Sequence, residues 1–394
     1  MSEADAPTSG TLAGREFTTD DYFNTQTPPA GLEEKTKRMH DFIHKWAAVP
    51  DKKLVVVTSG GTTVPLESNT VRFLDNFSAG TRGATSAEYF LKNGYAVIFL
   101  HRTHSLRPFS RHYSHSLNPF LDLLEIAPSS SPNAADGSEI RVQSEQALKL
   151  LPVLKAYNKA HEEGSLLGIE FQTVNDYLWL LRNVGQEMQP LQRRGMFYLA
   201  AAVSDFFLPE DRVAEHKIQS KKGSLSLEMD QVPKVLKPLV QEWTPEGYTV
   251  SFKNLLVPKA KAALSRYGHQ LVIGNELHKR KHEVVFIERV SRAKSLGNPA
   301  IMGAETPPLR STHPSSAALS SLALTDGGEQ PEKEEFRETW LYLDKLAKGR
   351  VPGPDEFEPE IEEYIITELV KRHQDWINDA GPLKSRLAEL AKGQ

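Results

Sequence analysis

Residues 54–102 contain the pattern that most restricts the fold of this chain. The run Leu54 to Val57 is rich in β-branched residues and apolar on both faces, as in a strand buried inside a parallel sheet. A second run of this kind extends from Ala96 to Leu100. Between them, Ala84 to Asn93 is predicted to form a helix, and Gly94 suits the left-handed position that follows a helix. The segment therefore predicts a βαβ unit and an α/β fold with a parallel sheet.

The connection from the first strand to this helix is rich in glycine and longer than the usual length of about two to six residues. It contains Gly60-Gly61 and Gly80-x-x-Gly83, and it offers Ser78 or Thr81 as the helix N-cap. Open α/β sheets bind ligands at the carboxyl ends of their strands, and glycine amides near a helix N-terminus suit an anion. An anionic ligand such as a nucleotide is the first hypothesis, and a loop that only turns sharply is the alternative. The spacing matches neither the G-x-G-x-x-G nor the G-x-x-x-x-G-K-[ST] motif.

Composition excludes several classes of function. The 394 residues are 39% hydrophobic, enough for a large core in one α/β domain with insertions or in two domains. The net charge of −4 predicts neither a nucleic-acid surface nor a membrane-binding surface. The sequence has no cysteine, which excludes disulfides, a thiol nucleophile and a thiolate metal site. Without a signal peptide or an apolar run of spanning length, we expect a cytoplasmic location and leave a nuclear one open.

The rest of the chain alternates apolar runs with helical patterns. This predicts a Rossmann-like, doubly wound α/β fold with a mostly parallel central sheet, helices on both faces and a small antiparallel extension. Low-periodicity polar stretches at the N-terminus and near residue 300 lack the residues for a core. We divide the chain into a disordered tail (1–28), an α/β domain (29–290), a disordered insertion (291–335) and a C-terminal strand with helices that complete the same domain (336–394). The predicted strands include 197–203 and 248–252, and a strand at 339–343 that pairs with 283–287.

Two polar side chains stand out in this pattern. Asp205 follows the strand at 197–203, where it can meet a ligand or simply cap a turn. Lys217 lies beside the apolar Ile218, so packing can fix its position while its ammonium group points elsewhere. A solvated surface lysine is the alternative, and the residues alone leave both choices open.

A family resemblance extends over most of residues 30–290. The run TSGGTTVPLESNTVRFLDNFSAGTRGATSAEYFLKNGYAVIFLHR closely resembles the amino-terminal signature of phosphopantothenate–cysteine ligase in its eukaryotic stand-alone form. The downstream segments FYLAAAVSDFFLP, EHKIQS, QVPKVLKPL, VSFK and HQLVIGN follow in the order typical of that family.

The resemblance implies an ATP-dependent ligase of coenzyme A biosynthesis that joins 4′-phosphopantothenate to L-cysteine. In the family, the substrate carboxylate first acquires a nucleotidyl group with release of pyrophosphate, and the cysteine amine then attacks the acyl-adenylate. The implied cofactors are ATP, as a substrate, and Mg²⁺. The implied assembly is a homodimer.

The resemblance also assigns site residues, position by position. It implies an ATP-phosphate site at Gly60, Ser78, Gly80 and Gly83, with Phe252 and Asn275 close to the base. It implies a phosphopantothenate site at Asn76, Ala201, Ala202 and Asp205, completed by Arg72 from the partner subunit. The implied catalytic residues are Lys217, in a K-I-x-S motif, and Asn76. No metal ligand is assigned.

One departure from the family pattern lies at residues 252–256. Where the family has an SFKLETD-type run, this chain has Ser251-Phe252-Lys253-Asn254-Leu255 and continues directly into a predicted helix. Either the loop is shortened, which could leave a non-catalytic nucleotide-binding subunit, or the sequence comes from a defective gene model. The enzymatic alternative is an NADP-dependent oxidoreductase, because Arg102 ends the second strand where a 2′-phosphate would lie.

Overall fold

The computed structural model describes residues 17–69, 72–113, 120–128, 137–215, 227–254, 257–290 and 335–379. The tail up to residue 16, all but the last residue of the predicted insertion at 291–335, and the C-terminal residues 380–394 lie outside the described residues.

Helices and strands alternate along most of the described chain. The helices are α1 (Thr19–Thr25), α2 (Leu32–Ala47), α3 (Thr81–Lys92), α4 (Ser144–Glu163), α5 (Val174–Glu187), α6 (Leu236–Pro238), α7 (Val257–Tyr267), α8 (Leu343–Leu346) and α9 (Ile361–Asn378). The strands are β1 (Leu54–Ser59), β2 (Thr63–Pro65), β3 (Phe73–Asp75), β4 (Ala96–Arg102), β5 (Leu124–Pro128), β6 (Ser138–Val142), β7 (Leu166–Phe171), β8 (Gly195–Leu199), β9 (Phe206–Phe207), β10 (Asp230–Gln231), β11 (Tyr248–Asn254), β12 (Leu271–Asn275), β13 (Glu283–Arg289) and β14 (Phe336–Tyr342).

The central sheet has the strand order β14-β13-β12-β11-β8-β1-β4-β7. From β7 to β12 neighbouring strands are parallel, whereas β13 and β14 are antiparallel additions at one edge. In chain order the parallel strands follow the classic 3-2-1-4-5-6 arrangement of a Rossmann fold, with the strand order reversing between β1 and β8. The predicted fold class is confirmed, and β14 pairs with β13 as predicted.

Two apolar cores cover the two faces of the sheet. Leu54 and Val56 of β1 pack in the core that includes α2 and α5. Val55 and Val57, on the opposite face, pack in the core that includes α3 and α9. Full burial of such a side chain contributes roughly 1.5–3 kcal/mol. The continuously apolar β1 is therefore held at the centre of the molecule, and its carboxyl end has a fixed position.

Three two-stranded sheets lie outside the central one. The hairpin β2–β3 occupies the long connection between β1 and α3, and β9 pairs with β10 after β8. The third sheet pairs β5 with β6. The first two sheets project from the carboxyl end of the parallel strands, where a Rossmann fold binds its ligands.

Several local predictions are wrong. The expected disorder up to residue 28 fails for residues 19–25, which form α1 with a capping box between Thr18 and Asp21. The N-cap of α3 is Gly80, in the left-handed conformation, rather than Ser78 or Thr81. The strand predicted at 197–203 ends at Leu199, because the chain then turns and Ala202 forms a bridge with Gly61.

None of the helices in the described part of the chain combines the length and the apolar character that a membrane-spanning helix needs.

Candidate functional site

The two glycine clusters, Gly60–Gly61 and Gly80–Gly83, are here together called the glycine loop, and they lie at the point where the strand order reverses. Beyond the end of β1, Gly61 forms a bridge with Ala202, which follows β8. The amide of Ala202 donates to the Gly60 carbonyl at 2.8 Å, and the amide of Thr62 donates to the Ala202 carbonyl at 3.1 Å. The structure therefore brings Gly60, from the expected nucleotide set, against Ala202, from the expected substrate set.

Close contacts leave no room for a Cβ at either glycine after β1. Gly60 has φ +86°, and a Cβ there would lie 2.7 Å from Cβ of Arg102. A Cβ on Gly61 would lie 1.8 Å from the backbone oxygen of Asn76. The Asn76 amide also donates to the Thr62 carbonyl at 3.1 Å. The segment carrying Asn76 is thus pressed against the end of β1, with its side chain on an exposed part of the site.

The second glycine pair wraps around Ser59, the last residue of β1. The Ser59 hydroxyl donates to the Gly80 carbonyl at 2.9 Å. A Cβ on Gly83 would lie 2.4 Å from Oγ of Ser59, so α3 begins in direct contact with the strand end. The Gly80 amide points to Oγ of Ser78 at 3.4 Å. Since the first turn of α3 has no acidic side chain, the positive end of its dipole is available to an anion.

Hydroxyl groups of the T-S-G-G-T-T run hold the segment that was expected to bind phosphopantothenate. Oγ1 of Thr58 accepts the Ala201 amide at 3.1 Å, and Oγ1 of Thr62 accepts the Ser204 amide at 2.9 Å. The carbonyl of Asp205 accepts the amide of Val232 at 2.9 Å, while its carboxylate is exposed. Thr58, Ser59 and Thr62 are residues that sequence reasoning missed. Their signal was a cluster of hydroxyl residues at the end of a fully buried strand.

The residues expected near the base lie toward the carboxyl ends of β11 and β12. The Phe252 ring packs against the Tyr198 ring of β8 in an edge-to-face contact, with ring centroids 5.0 Å apart. The guanidinium of Arg82, in the first turn of α3, lies 5.5 Å from the Phe252 ring. Asn275 is the last residue of β12, paired in register with Asn254. Phe252 and Asn275 are therefore on the same edge of the sheet as the glycine loop.

Arg82 is a further residue that sequence reasoning missed. Its Nη1 lies 3.2 Å from a carboxylate oxygen of Glu362 and its Nη2 donates to the Arg280 carbonyl at 2.5 Å. Burial is the main cause that raises the pKa of Glu362, and the adjacent Arg82 opposes it. Arg82 therefore links the start of α3 to the Phe252 ring and to α9.

Arg72 lies on the hairpin rather than in the glycine loop. Its Nη2 is 2.5 Å from Oε1 of Glu67 in the same chain, and the Glu67 side chain is fully buried. The neighbouring apolar side chains Phe73, Leu74 and Phe77 are 47%, 42% and 78% exposed. The hairpin thus presents an apolar surface on the outside of the described chain, and the ion pair with Glu67 holds Arg72 beside it.

Arg102 does not offer the free cation that an NADP site would need. Its two terminal nitrogens bind the two carboxylate oxygens of Asp75 at 2.6 and 3.0 Å. Such a bidentate pair is strong and directional. Arg102 instead fixes the hairpin, through β3, to the end of β4.

Two parts of the expected site lie outside the described residues. Lys217 belongs to the segment 216–226, and the departure from the family pattern includes residues 255–256. The chain reaches the first of these segments from Ala214, whose carbonyl accepts the Ser68 amide at 2.9 Å. On the other side, β11 continues to Asn254 and α7 begins at Val257, so two residues connect strand and helix.

The described residues contain one cluster suited to a metal ion, and it lies elsewhere. His40 and His44 of α2 and Glu187 of α5 place one ligand atom each within 4.8 Å of one another. Imidazoles suit zinc rather than Mg²⁺, which prefers oxygen ligands. This cluster does not fit the metal expected beside ATP.

A cavity of about 490 Å³ also lies away from the glycine loop, and its walls come from α3, α4 and residues 350–363. Beside it, the buried Arg111 forms ion pairs with Glu88 and Glu360 at 2.8 and 2.7 Å. These charges are already paired, and none of the expected site residues lines the cavity, so we assign the chemistry to the glycine loop instead.

Comparison with known proteins identifies the family of the chain. Residues 167–296 match the family described as the DNA/pantothenate metabolism flavoprotein C-terminal domain. Phosphopantothenate–cysteine ligase CAB2 of Saccharomyces cerevisiae is 44% identical over 305 residues, which cover 70% of this chain and 80% of the yeast protein. The human phosphopantothenate–cysteine ligase is 44% identical over 250 residues, covering 62% of this chain and 79% of the human protein. The chain belongs to the phosphopantothenate–cysteine ligase family.

A solved structure extends this membership to the fold. A Cab2 mutant in complex with phosphopantothenate-cysteine matches with a TM-score of 0.69 and 38% identity, covering 91% of this chain and 98% of that one. The resemblance recognised in the motifs is confirmed, and with it the assignment to a family of ligases. The NADP-dependent alternative fails on this membership and on the pairing of Arg102 with Asp75.

Proposed function

We propose that this chain is an ATP-using phosphopantothenate–cysteine ligase that acts through an acyl-adenylate. The observation that carries the proposal is the convergence of two glycine pairs and the Ala201–Ala202 turn at the end of β1. Family membership supplies the substrates, 4′-phosphopantothenate, L-cysteine and ATP. The two described glycine clusters and the start of α3 offer backbone amides to an anion, as ATP requires.

The proposed reaction has two steps, adenylation of the carboxylate and attack by the cysteine amine. The carboxylate oxygen of phosphopantothenate attacks the α-phosphorus of ATP, and the bond to the β-phosphate breaks with release of pyrophosphate. The cysteine amine then attacks the acyl carbon, AMP leaves, and the amine loses a proton. Both steps move negative charge, so fixed amides and cations contribute most to catalysis.

The site residues divide this work. We assign the ATP phosphates to Gly60, Ser78, Gly80 and Gly83, and the base to Phe252 and Asn275. We assign phosphopantothenate to Asn76, Ala201, Ala202 and Asp205. Lys217 would neutralise charge as the acyl-adenylate forms, and Asn76 would hold that intermediate. Mg²⁺ would neutralise the charge of the triphosphate, and no protein ligand is assigned to it.

A homodimer is the second part of the proposal. The hairpin β2–β3 carries Arg72 next to the exposed Phe73, Leu74 and Phe77, and exposed apolar groups beside a charged residue are typical of interfaces. We infer that this surface meets a second copy of the chain and that Arg72 reaches the phosphate of the substrate bound there. A cytoplasmic location, with a nuclear one left open, completes the proposal.

Pyrophosphate release tests the function. The protein is incubated with ATP, Mg²⁺, phosphopantothenate and cysteine, and each component is omitted in turn. We expect steady release only with all four, and without cysteine a burst of at most one pyrophosphate per site. No release with all four components present would refute the ligase.

The short connection after Asn254 makes a non-catalytic nucleotide-binding subunit the specific alternative. That alternative predicts a rise in melting temperature with ATP and Mg²⁺ but no pyrophosphate. NADPH serves as the control nucleotide in the same thermal-shift measurement.

A further inference from the structure

Helices α2 and α5 lie side by side on one face of the sheet and bring together three side chains of the kinds that bind metal ions. His40 and His44 are four residues apart on α2, and Glu187 is the last residue of α5. One ligand atom from each of these side chains lies within 4.8 Å of the other two. These three residues are here called the α2–α5 cluster, and the proposed ligase site does not use them.

The two helices pack in register where the cluster lies. Nδ2 of Asn183 on α5 donates to Oγ1 of Thr36 on α2 at 2.8 Å. One turn further along both helices, Nδ1 of His40 lies 2.7 Å from Oε2 of Glu187. Residues four apart share one face of a helix, so both pairs lie along the same contact between α2 and α5. The cluster therefore continues a regular helix–helix contact to the surface.

Buried neighbours hold the backbone beneath the cluster. On α2, Met39 and Ile43 directly precede the two histidines, and neither has any exposed surface. On α5, Val184 and Met188 lie on either side of Glu187 along the chain and are buried to the same extent. All four side chains belong to the core that covers this face of the sheet. The backbone positions of the cluster are therefore fixed, while its side chains are free to rotate.

The distances within the cluster suit a single metal ion. Two histidines four residues apart on a helix can bind one ion together, and the rings of His40 and His44 have centroids 4.0 Å apart. In a tetrahedral zinc site, bonds of about 2.0–2.1 Å place the ligand atoms about 3.3 Å from one another. The atoms of the cluster are 2.7 Å apart at the His40–Glu187 pair and at most 4.8 Å apart elsewhere. Movements of about 1.5 Å or less would therefore give this spacing.

The ligand atoms of the cluster select a transition metal. Two imidazole nitrogens and one carboxylate oxygen suit Zn²⁺, whereas Mg²⁺ and Ca²⁺ prefer oxygen ligands alone. A water molecule would supply the fourth ligand. His44 lies in the last turn of α2 and Glu187 ends α5, so the negative ends of two helix dipoles lie near the bound cation.

The cluster is directed away from the glycine loop. Lys35, near the start of α2, donates to the Glu170 carbonyl close to the carboxyl end of β7 at 2.8 Å. Lys45, near the end of α2, donates to the Glu163 carbonyl, which precedes β7, at 2.9 Å. Helix α2 therefore runs from the carboxyl edge of the sheet, where the glycine loop lies, toward the amino edge. An ion bound in its second half would act on the packing of α2 against α5.

We propose that His40, His44 and Glu187 form a binding site for Zn²⁺ that joins α2 to α5. The ion replaces one hydrogen bond between the helices with three coordinate bonds. Because the unfolded chain does not hold the three ligands together, binding stabilises the folded chain. The inference is independent of the proposed ligase function, since it uses no substrate and none of the residues assigned to the reaction.

The test measures zinc binding to the full chain, produced without a polyhistidine tag and freed of metal with a chelator that is then removed. Calorimetric titration with ZnCl₂ is performed in excess Mg²⁺, without ATP and without cysteine, whose thiolate would compete for zinc. The variants are His40→Gln, His44→Gln and Glu187→Ala. The matched control is the double variant His278→Gln/His282→Gln, which removes a second exposed pair of histidines four residues apart.

We expect one Zn²⁺ to bind per chain. With free zinc at about 100 times Kd, the melting temperature should rise by about 3–5 °C, and Ca²⁺ should not raise it. Loss of a residue that only supports a ligand weakens metal binding about 10–100-fold. Loss of a ligand itself should therefore weaken zinc binding at least about 100-fold in each single variant. The control variant should bind zinc as the unmodified chain does.

Amide exchange of the unmodified chain gives a second measurement that needs no substitution. Zinc should slow deuterium exchange most in peptides spanning residues 36–48 and 180–190, where the helices would be joined. Exchange in peptides of the glycine loop should change less. This measurement decides the question even if a variant does not fold.

Four results would overturn the proposal. The first is the absence of saturable zinc binding to the unmodified chain. The second is unchanged affinity in Glu187→Ala, which would mean that α2 alone holds the ion and the helices are not joined. The third is unchanged affinity in both histidine variants, or its loss in the control, either of which would place the ion elsewhere. The fourth is an exchange rate that zinc leaves unchanged in both helices.

Discussion

Replacing Gly61 with alanine tests the geometry of the proposed site directly. The new Cβ would lie 1.8 Å from the Asn76 oxygen, 2.9 Å from the Asn76 carbonyl carbon and 3.0 Å from the Ser78 nitrogen. All three atoms belong to the backbone, so no side-chain rotation can relieve the contact. The Asn76 oxygen must retreat by roughly 1.2 Å to reach even a tight contact of about 3 Å.

This displacement has two expected consequences. Overpacking typically costs about 1–3 kcal/mol, and loss of the Asn76 amide bond to Thr62 costs about 1 kcal/mol, so the melting temperature should fall by several degrees. A shift of about 1 Å in a positioned group can cost about 100-fold in rate. We therefore expect kcat for pyrophosphate release to fall about 100-fold, well beyond the loss expected from partial unfolding.

The control is Gly168→Ala in β7, where the added Cβ would lie 3.8 Å from Nε2 of His101, an ordinary contact. Both proteins are assayed for pyrophosphate release at least 10 °C below their melting temperatures. A Gly61→Ala enzyme with kcat within threefold of the unmodified chain and an unchanged melting temperature would refute the reasoning. It would mean that Asn76 does not depend on the end of β1 for its position.

Three further outcomes are expected. Lys217→Gln should leave the melting temperature unchanged and slow pyrophosphate release by about two orders of magnitude or more, because a cation near developing charge is lost; release at the unmodified rate would contradict the assignment. Mixing inactive Arg72→Ala with inactive Lys217→Gln should restore about a quarter of full activity if Arg72 acts across a two-fold interface, and no recovery after subunit exchange would place Arg72 in its own site. Burial lowers the pKa of His269 and of His373 from 6.5 to about 3. Since the unfolded chain takes up these protons near pH 6.5 and the folded chain does not, the free energy of unfolding should fall as pH drops from 6.5 toward 3, by about 2 kcal/mol per histidine at pH 5. His373→Gln should flatten the change in urea midpoint between pH 7 and pH 5, and an equal slope in both proteins would contradict the buried neutral state.

The central sheet could be predicted from the sequence because a buried strand requires a recognisable run of apolar residues. A strand covered on both faces is apolar at nearly every position, and residues 54–57 of β1 and 96–100 of β4 show this pattern. The βαβ unit and the left-handed Gly94 followed from the same local rules. These elements locate the ligand-binding edge of the sheet before any side chain is considered.

The hairpin β2–β3 and helix α1 have no comparable pattern in the sequence. The two strands of the hairpin have three residues each, without a regular alternation of apolar and polar side chains. Periodicity therefore predicts only a long loop there. Helix α1 has seven residues and only two buried side chains, Tyr22 and Phe23. A helix this short is stabilised by tertiary packing rather than by its own propensity. Its capping box at Thr18 and Asp21 was the one local signal.

The candidate site depends on backbone contacts between distant parts of the chain, and this is why periodicity could not describe it. The Ala201 amide reaches Thr58 across 143 residues. Such pairings constrain the backbone, so the sequence shows only their side effects, which are glycines where a Cβ will not fit and hydroxyls where an amide needs an acceptor. Gly61 shows the limit, because its need for glycine comes from the carbonyl of Asn76 and not from its own φ. A family pattern can preserve that glycine without revealing which atom forbids the Cβ, and only the fold connects the two.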